Sequence, residues 1–183
     1  MLARLFLYVL FACAMPAMAQ LPKLEVAVKR IDIEGEHVFE VSATGTVRAP
    51  PAAVWRILTN YERMPEFVPD LKATKVLSRN GNRAMLEQFG VARFLFFKRG
   101  IHLIVQVTEE HPSYIDISLV SGDMKVYQCR WEIQPTPEGG TRIDYGGKLV
   151  PKFYVPGMLG ENIIRSDIER MMIAVLERLE QPE

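Results

Sequence analysis

This sequence predicts an α+β domain in which a curved antiparallel sheet holds one long C-terminal helix, with two short helices after the second strand. Three observations carry that expectation. Residues 24–33 and 38–48 alternate apolar with polar side chains. From 71 to 150 the alternation continues, broken only by clusters rich in Gly, Asn, Asp and Pro. Beyond Met158 the apolar spacing changes to steps of one, three and four. The first two patterns are strands and the last is a helix.

Taken in order, Leu24–Ile33 reads as a strand and Glu34-Gly35-Glu36-His37 as a turn. Phe39, Val41, Ala43, Gly45 and Val47 then share one face of a second strand. Ala49-Pro50-Pro51 stops it. Proline suits the first turn of a helix, so a short helix follows through Leu58, with Trp55 and Leu58 on its buried side. Two prolines in Asn60–Asp70 favour a second short helix or an irregular loop. Asn80-Gly81-Asn82 is a hairpin signal. Ile101/Leu103/Val105/Val107, Ile115/Ile117/Leu119, Tyr127/Cys129/Trp131/Ile133 and Ile143/Tyr145/Gly147/Leu149 each alternate, with turns at Gly122-Asp123 and Pro137–Gly140 between them. Consecutive strands joined by tight turns make an antiparallel meander of about five strands, and a whole sheet of six or seven.

Met158, Leu159, Ile163, Ile164, Ile168, Met171, Met172, Val175, Leu176 and Leu179 form one stripe of the final helix. Arg165, Asp167, Glu169, Arg170, Glu177 and Arg178 take the opposite side, and Glu161 with Arg165 stands in the favourable i,i+4 order. A helix over residues 158–180 is roughly 34 Å long at 1.5 Å per residue. One such rod, about 10 Å wide, cannot fill the hollow of a strongly bent sheet. Either large core side chains or a cavity must occupy the remainder.

The chain has 183 residues, 49% of them hydrophobic and 24% charged, which suits one globular domain and excludes whole-chain disorder or coiled coil. Lys and Arg number 22, as do Asp and Glu, so no strong overall field attracts nucleic acid, and no nucleic-acid partner is expected. Residues 1–19 are laid out as a signal peptide: Arg4, an apolar run from Leu5 to Ala14, and Ala17-Met18-Ala19 for cleavage. The expected organisation is therefore a leader at 1–19 and a single domain at 20–183, in the periplasm or outside the cell. Leu10-Phe11-Ala12-Cys13 loosely resembles a lipobox, so lipid anchoring at Cys13 is the alternative. Once the leader is gone Cys129 stands alone, and no internal disulfide can form.

Several stretches also resemble those of the START-like (helix-grip, SRPBCC) superfamily, in particular its polyketide cyclase/dehydrase and coenzyme Q-binding branch. Val47-Arg48-Ala49-Pro50 with Val54-Trp55 resembles the strand-to-helix entry of that family, and Tyr61–Pro69 its second short helix. Gly122-Asp123-Met124, Trp131 and Gly140-Thr141 resemble its closing hairpins. The resemblance spans about residues 38–180 and implies a hydrophobic cavity between the last helix and the sheet. Relatives bind lipids, quinones, sterols or polyketide-like aromatics, and some cyclise or dehydrate polyketides. The leader departs from the usual pattern of the family.

Catalytic signatures are missing from the sequence. There is no G-x-S-x-G, H-E-x-x-H, C-x-x-C or G-x-G-x-x-G, and His37, His102 and His111 are isolated. No catalytic residue, metal site or cofactor is expected. Cys129 reads as a small buried hydrophobe. Glu87-Gln88 interrupts an apolar strand, and alternation turns one of them inward. An outward Glu with a hydrogen-bonded Gln is one reading; a head-group contact or a general acid–base at Glu87 are the others. Alternation and helical phase nominate Trp55, Phe67, Glu87, Phe89, Tyr127, Trp131, Tyr145, Met158, Ile164, Ile168, Met171 and Met172 as cavity-lining, ligand-binding residues.

In Arg93–Arg99, aromatics lie between basic groups, which suits transient membrane contact; a strand apolar on both faces is the plainer alternative. The expected function is non-covalent binding of a lipid- or quinone-class molecule, without catalysis. Two alternatives stand: a cyclase or dehydratase using Glu87, Tyr127 or Tyr145, and an interaction module whose core is filled.

Overall fold

The computed structural model describes residues 24–93, 98–155 and 157–181, and of Gly157 and Met158 the backbone alone. The expected leader at 1–19, with Cys13, and residues 94–97 lie outside the described residues. Eight strands run in chain order: β1 (Glu25–Ile33), β2 (Glu36–Val47), β3 (Leu71–Asn80), β4 (Arg83–Arg93), β5 (Lys98–Glu110), β6 (Tyr114–Gly122), β7 (Met124–Pro135) and β8 (Thr141–Pro151). Between β2 and β3 lie helix α1 (Pro51–Leu58) and a 3₁₀ turn (Tyr61–Glu66); helix α2 (Gly157–Glu180) follows β8.

All eight strands join one antiparallel sheet in the order β1-β2-β8-β7-β6-β5-β4-β3. α1 and the 3₁₀ turn thus carry the chain from β2 to the far edge, and the meander returns until β8 pairs with β2. Breaks in register that leave an extra residue in β3, β6 and β7 add local bend and twist. The sheet has one strand more than the largest number expected. β4 ends at Arg93, β5 begins at Lys98, and these two residues pair across the hairpin. The expected turn at Glu34–His37 is also shorter, since Glu36 and His37 already belong to β2.

Local chemistry accounts for the connecting helices. Pro51 opens α1, and the Thr59 hydroxyl donates to the Trp55 carbonyl where the helix stops. Val54 and Leu58 form the buried side of α1, and Trp55 is only half-buried. Tyr61 anchors the 3₁₀ turn by donating its hydroxyl to Glu109 at 2.7 Å, while Arg79 holds the other oxygen of that carboxylate at 3.0 Å.

α2 packs chiefly on β1 and β2. Met172, Val175 and Leu176 are fully buried there, and Gly45 lets the helix approach: a Cβ at that position would stand 2.7 Å from the Leu176 side chain. The stripe read from the sequence is narrower in fact, since Leu159 is exposed. Glu161 and Arg165 do not pair with each other. Glu161 accepts the Arg30 backbone N–H and Arg165 donates to the Val26 carbonyl, both on the edge strand β1.

A candidate ligand cavity with a charged border

Between the sheet and α2 lies a cavity of about 270 Å³. β4 contributes Leu86, Gln88 and Gly90; β5 gives Ile101, Leu103 and Val105; β6 gives Ile115 and Ile117. Tyr127 and Trp131 come from β7, Tyr145 and Leu149 from β8, Ile168 and Met171 from α2. Leu58 and Tyr61 complete the wall beside α1. The alternation of each strand puts these side chains on one face, and the distance between α2 and β4–β7 leaves the space open. Its volume lies near the lower limit for small-molecule sites, about 300–1,000 Å³.

Of the nominated residues, Tyr127, Trp131, Tyr145, Ile168 and Met171 meet at this cavity. The Trp131 and Tyr145 rings pack at 4.7 Å between centroids, and the Tyr145 hydroxyl donates to Cys129 Sγ at 3.1 Å. Burial pushes the Cys129 thiol up to about 11, against the pull of the Tyr145 and Tyr127 hydroxyls. Burial likewise raises both tyrosines above their ordinary value, so their hydroxyls stay protonated.

Other nominated residues stand elsewhere. Glu87 and Phe89 face the outer side of β4, and both contact His102: Glu87 at 3.0 Å, Phe89 by stacking at 4.5 Å between centroids. The inward set of β4 is Ala84, Leu86, Gln88 and Gly90, so the strand's phase is the reverse of the one that placed Glu87 and Phe89 inside. The Trp55 ring packs edge to face with His111. Phe67 lines a separate small depression with Arg56, Arg63 and Arg178. Met172 is sealed in the packing of α2, and Ile164 is half-buried against the core; neither reaches the cavity wall. The Met158 side chain lies outside the described residues.

Two residues that sequence reasoning placed on the polar side of α2 also belong to this region. Asp167 lines the cavity, as does Asp70 in the turn just before β3. Asp70 accepts from Arg93 Nε at 2.6 Å and Arg170 Nη2 at 3.2 Å, and Arg170 also pairs with Asp167. Burial works against the charge of Asp70, but the guanidinium groups of Arg93 and Arg170 outweigh it and hold the carboxyl below the usual range. For Asp167 burial wins over Arg170 and the carboxyl is pushed up. No pattern in the sequence links these four residues, because they come from three elements far apart in the chain.

Among the described residues no group of three or more His, Cys, Asp or Glu could hold a metal ion. No helix among them is long and apolar enough to cross a membrane.

A curved antiparallel sheet wrapped on a C-terminal helix, with a mainly apolar chamber between them, is the START-like helix-grip fold. The chain belongs to the family described as polyketide cyclase / dehydrase and lipid transport, whose model matches residues 47–176. Solved structures agree on the fold. A START superfamily protein from Mycobacterium smegmatis superposes with a TM-score of 0.68 at 23% identity, covering 78% of this chain and 97% of that one. A STAR-related lipid transfer protein from Xanthomonas axonopodis also gives 0.68, at 16% identity over 88% of this chain and 100% of its own. The Zhui aromatase/cyclase from a Streptomyces species gives 0.66 at 14% identity, covering 79% and 94%. No curated protein matches the chain in sequence.

Proposed function

We propose that this chain binds one hydrophobic small molecule, of the lipid or quinone class, non-covalently between α2 and the sheet. The observation that carries the reading is the chamber of about 270 Å³ that the protein's own side chains leave unfilled. A filled interaction module does not need such a space. Each buried methylene contributes about 0.8 kcal/mol, so a guest with about ten of them gains about 8 kcal/mol, comparable with the cost of association. The relatives named for lipid transfer and for aromatase/cyclase activity support a hydrophobic guest in both cases. Glu87 faces away from the chamber, so of the residues first considered for an enzyme Tyr127 and Tyr145 alone line it.

The same proposal places the protein outside the cytoplasm after cleavage behind Ala19, and in transient contact with a membrane through residues 93–99, where Arg93, Lys98 and Arg99 are exposed. Native mass spectrometry of the chain expressed with its leader, followed by organic extraction, tests it. A mature chain beginning at Gln20 that carries an extractable lipid or quinone is the expected result. An empty protein that takes up nothing from a lipid panel would overturn the binding reading. Flotation with vesicles of phosphatidylcholine and phosphatidylglycerol reads the membrane contact, which is abandoned if Lys98→Glu with Arg99→Glu leaves flotation unchanged.

A further inference from the structure

Pairing of β3 with β4 sets Thr74 directly opposite Gln88. Thr74 is only 8% exposed, and its hydroxyl oxygen is sealed from solvent without a hydrogen-bond partner. Gln88 reaches the cavity, and no hydrogen bond ties its side-chain amide to the described residues. The buried Thr74 hydroxyl runs against the rule that buried polar groups are hydrogen-bonded, and the Gln88 amide that faces the mainly apolar chamber is paired with it in register. They are explained if a guest completes the set. The Gln88 amide oxygen can accept the Thr74 O–H, and its two N–H donors then point at whatever occupies the chamber.

The charges nearby narrow the guest further. Among the described residues, Asp70 and Asp167 are the only charged residues in the lining, and the guanidinium groups next to them are engaged by those carboxylates. A guest carboxylate would meet two like charges; the buried Nε of Arg170 makes no hydrogen bond, but Arg170 is not among the lining residues.

Resting on the binding reading above, we infer that Gln88, backed by Thr74, is the polar subsite of the cavity, and that it selects an uncharged guest with a carbonyl-type acceptor oxygen. The fatty-acid anion and the plain hydrocarbon are both disfavoured. Three probes of similar shape separate the possibilities by calorimetric titration of the full chain: 2-acetylnaphthalene, 2-isopropylnaphthalene and 2-naphthoate. The ketone should bind roughly tenfold tighter than the hydrocarbon, as one well-made hydrogen bond allows, and the carboxylate should bind weakest.

Gln88→Leu, an apolar replacement of similar size, should abolish the preference for the ketone while hydrocarbon binding persists. Thr74→Val should reduce the preference without touching hydrocarbon binding. Unchanged preference in Gln88→Leu overturns the subsite and leaves the cavity reading intact. Unchanged preference in Thr74→Val overturns the supporting role of the hydroxyl. If none of the probes binds the wild-type chain, the cavity reading fails and the subsite falls with it.

Discussion

Asp70 concentrates much of what positions the cavity border. Its φ of +65° is a left-handed conformation that a non-glycine residue rarely adopts. The backbone is held there by the Val91 N–H donating to the Asp70 carbonyl at 2.8 Å, and the carboxylate by Arg93 and Arg170. Asparagine tolerates the same backbone, so Asp70→Asn removes the charge and little else. Because the folded carboxyl titrates below the unfolded one, its stabilisation is present above an unfolded pKa of about 3.9 and is lost as pH falls through the lower folded value. Asp70→Asn should therefore cost about 1–3 kcal/mol at neutral pH. The deficit should shrink below about pH 4 as wild type loses the same contribution. Urea midpoints measured between about pH 3 and pH 7 read this directly; a deficit that does not change with pH would assign the loss to packing. Asp167 has the opposite sign, since a raised folded pKa favours the folded state on acidification.

At the scale of elements, the helices close the two edges that an open sheet leaves exposed. α2 satisfies backbone groups of β1 through Glu161 and Arg165, and Glu62 of the 3₁₀ turn accepts the Val76 N–H of β3 at 3.2 Å. Neighbouring methionines on α2 serve different ends. Met172 is fully buried in the packing against the sheet, whereas Met171 borders the open chamber. Met172→Ala should destabilise by about 2–5 kcal/mol, the cost of a new cavity in a close-packed core. Met171→Ala should cost about 1 kcal/mol, because space already adjoins it, and should enlarge the guest site. Thermal melts of the two variants test the contrast, and equal losses would mean that the chamber wall is as tightly packed as the core.

The alternation that made the strands legible came from residues buried on one face, as in Phe39, Val41 and Ala43, and it located α2 to within a residue. Legibility failed where an aromatic side chain outweighed its smaller neighbours. Phe89 looked inward-facing, yet Ala84, Leu86 and Gly90 set the phase and leave Phe89 stacked on His102 outside. The border of Asp70, Arg93, Asp167 and Arg170 was invisible for a different reason: ion pairs between distant elements leave no periodic trace in sequence.

For the whole molecule, the chamber follows from a mismatch of sizes. An eight-stranded bent sheet offers more concave surface than one helix of 24 residues can cover. α2 lies toward β1 and β2, and the uncovered part in front of β4–β7 becomes the cavity. The two tryptophans report on that asymmetry. Trp131 lines the chamber, while Trp55 sits against His111 and does not reach it. A guest carrying a heavy atom quenches only an indole it touches, because the heavy-atom effect requires contact. Titration with 1-bromonaphthalene should therefore quench the fluorescence of Trp55→Phe, in which Trp131 remains, and leave that of Trp131→Phe nearly unchanged. Both variants keep an aromatic ring in place, which limits the loss of packing. Quenching of Trp131→Phe, in which Trp55 remains, with none in Trp55→Phe would place the guest outside the chamber, on a surface near Trp55, and would contradict the assignment of the site to the space beneath α2.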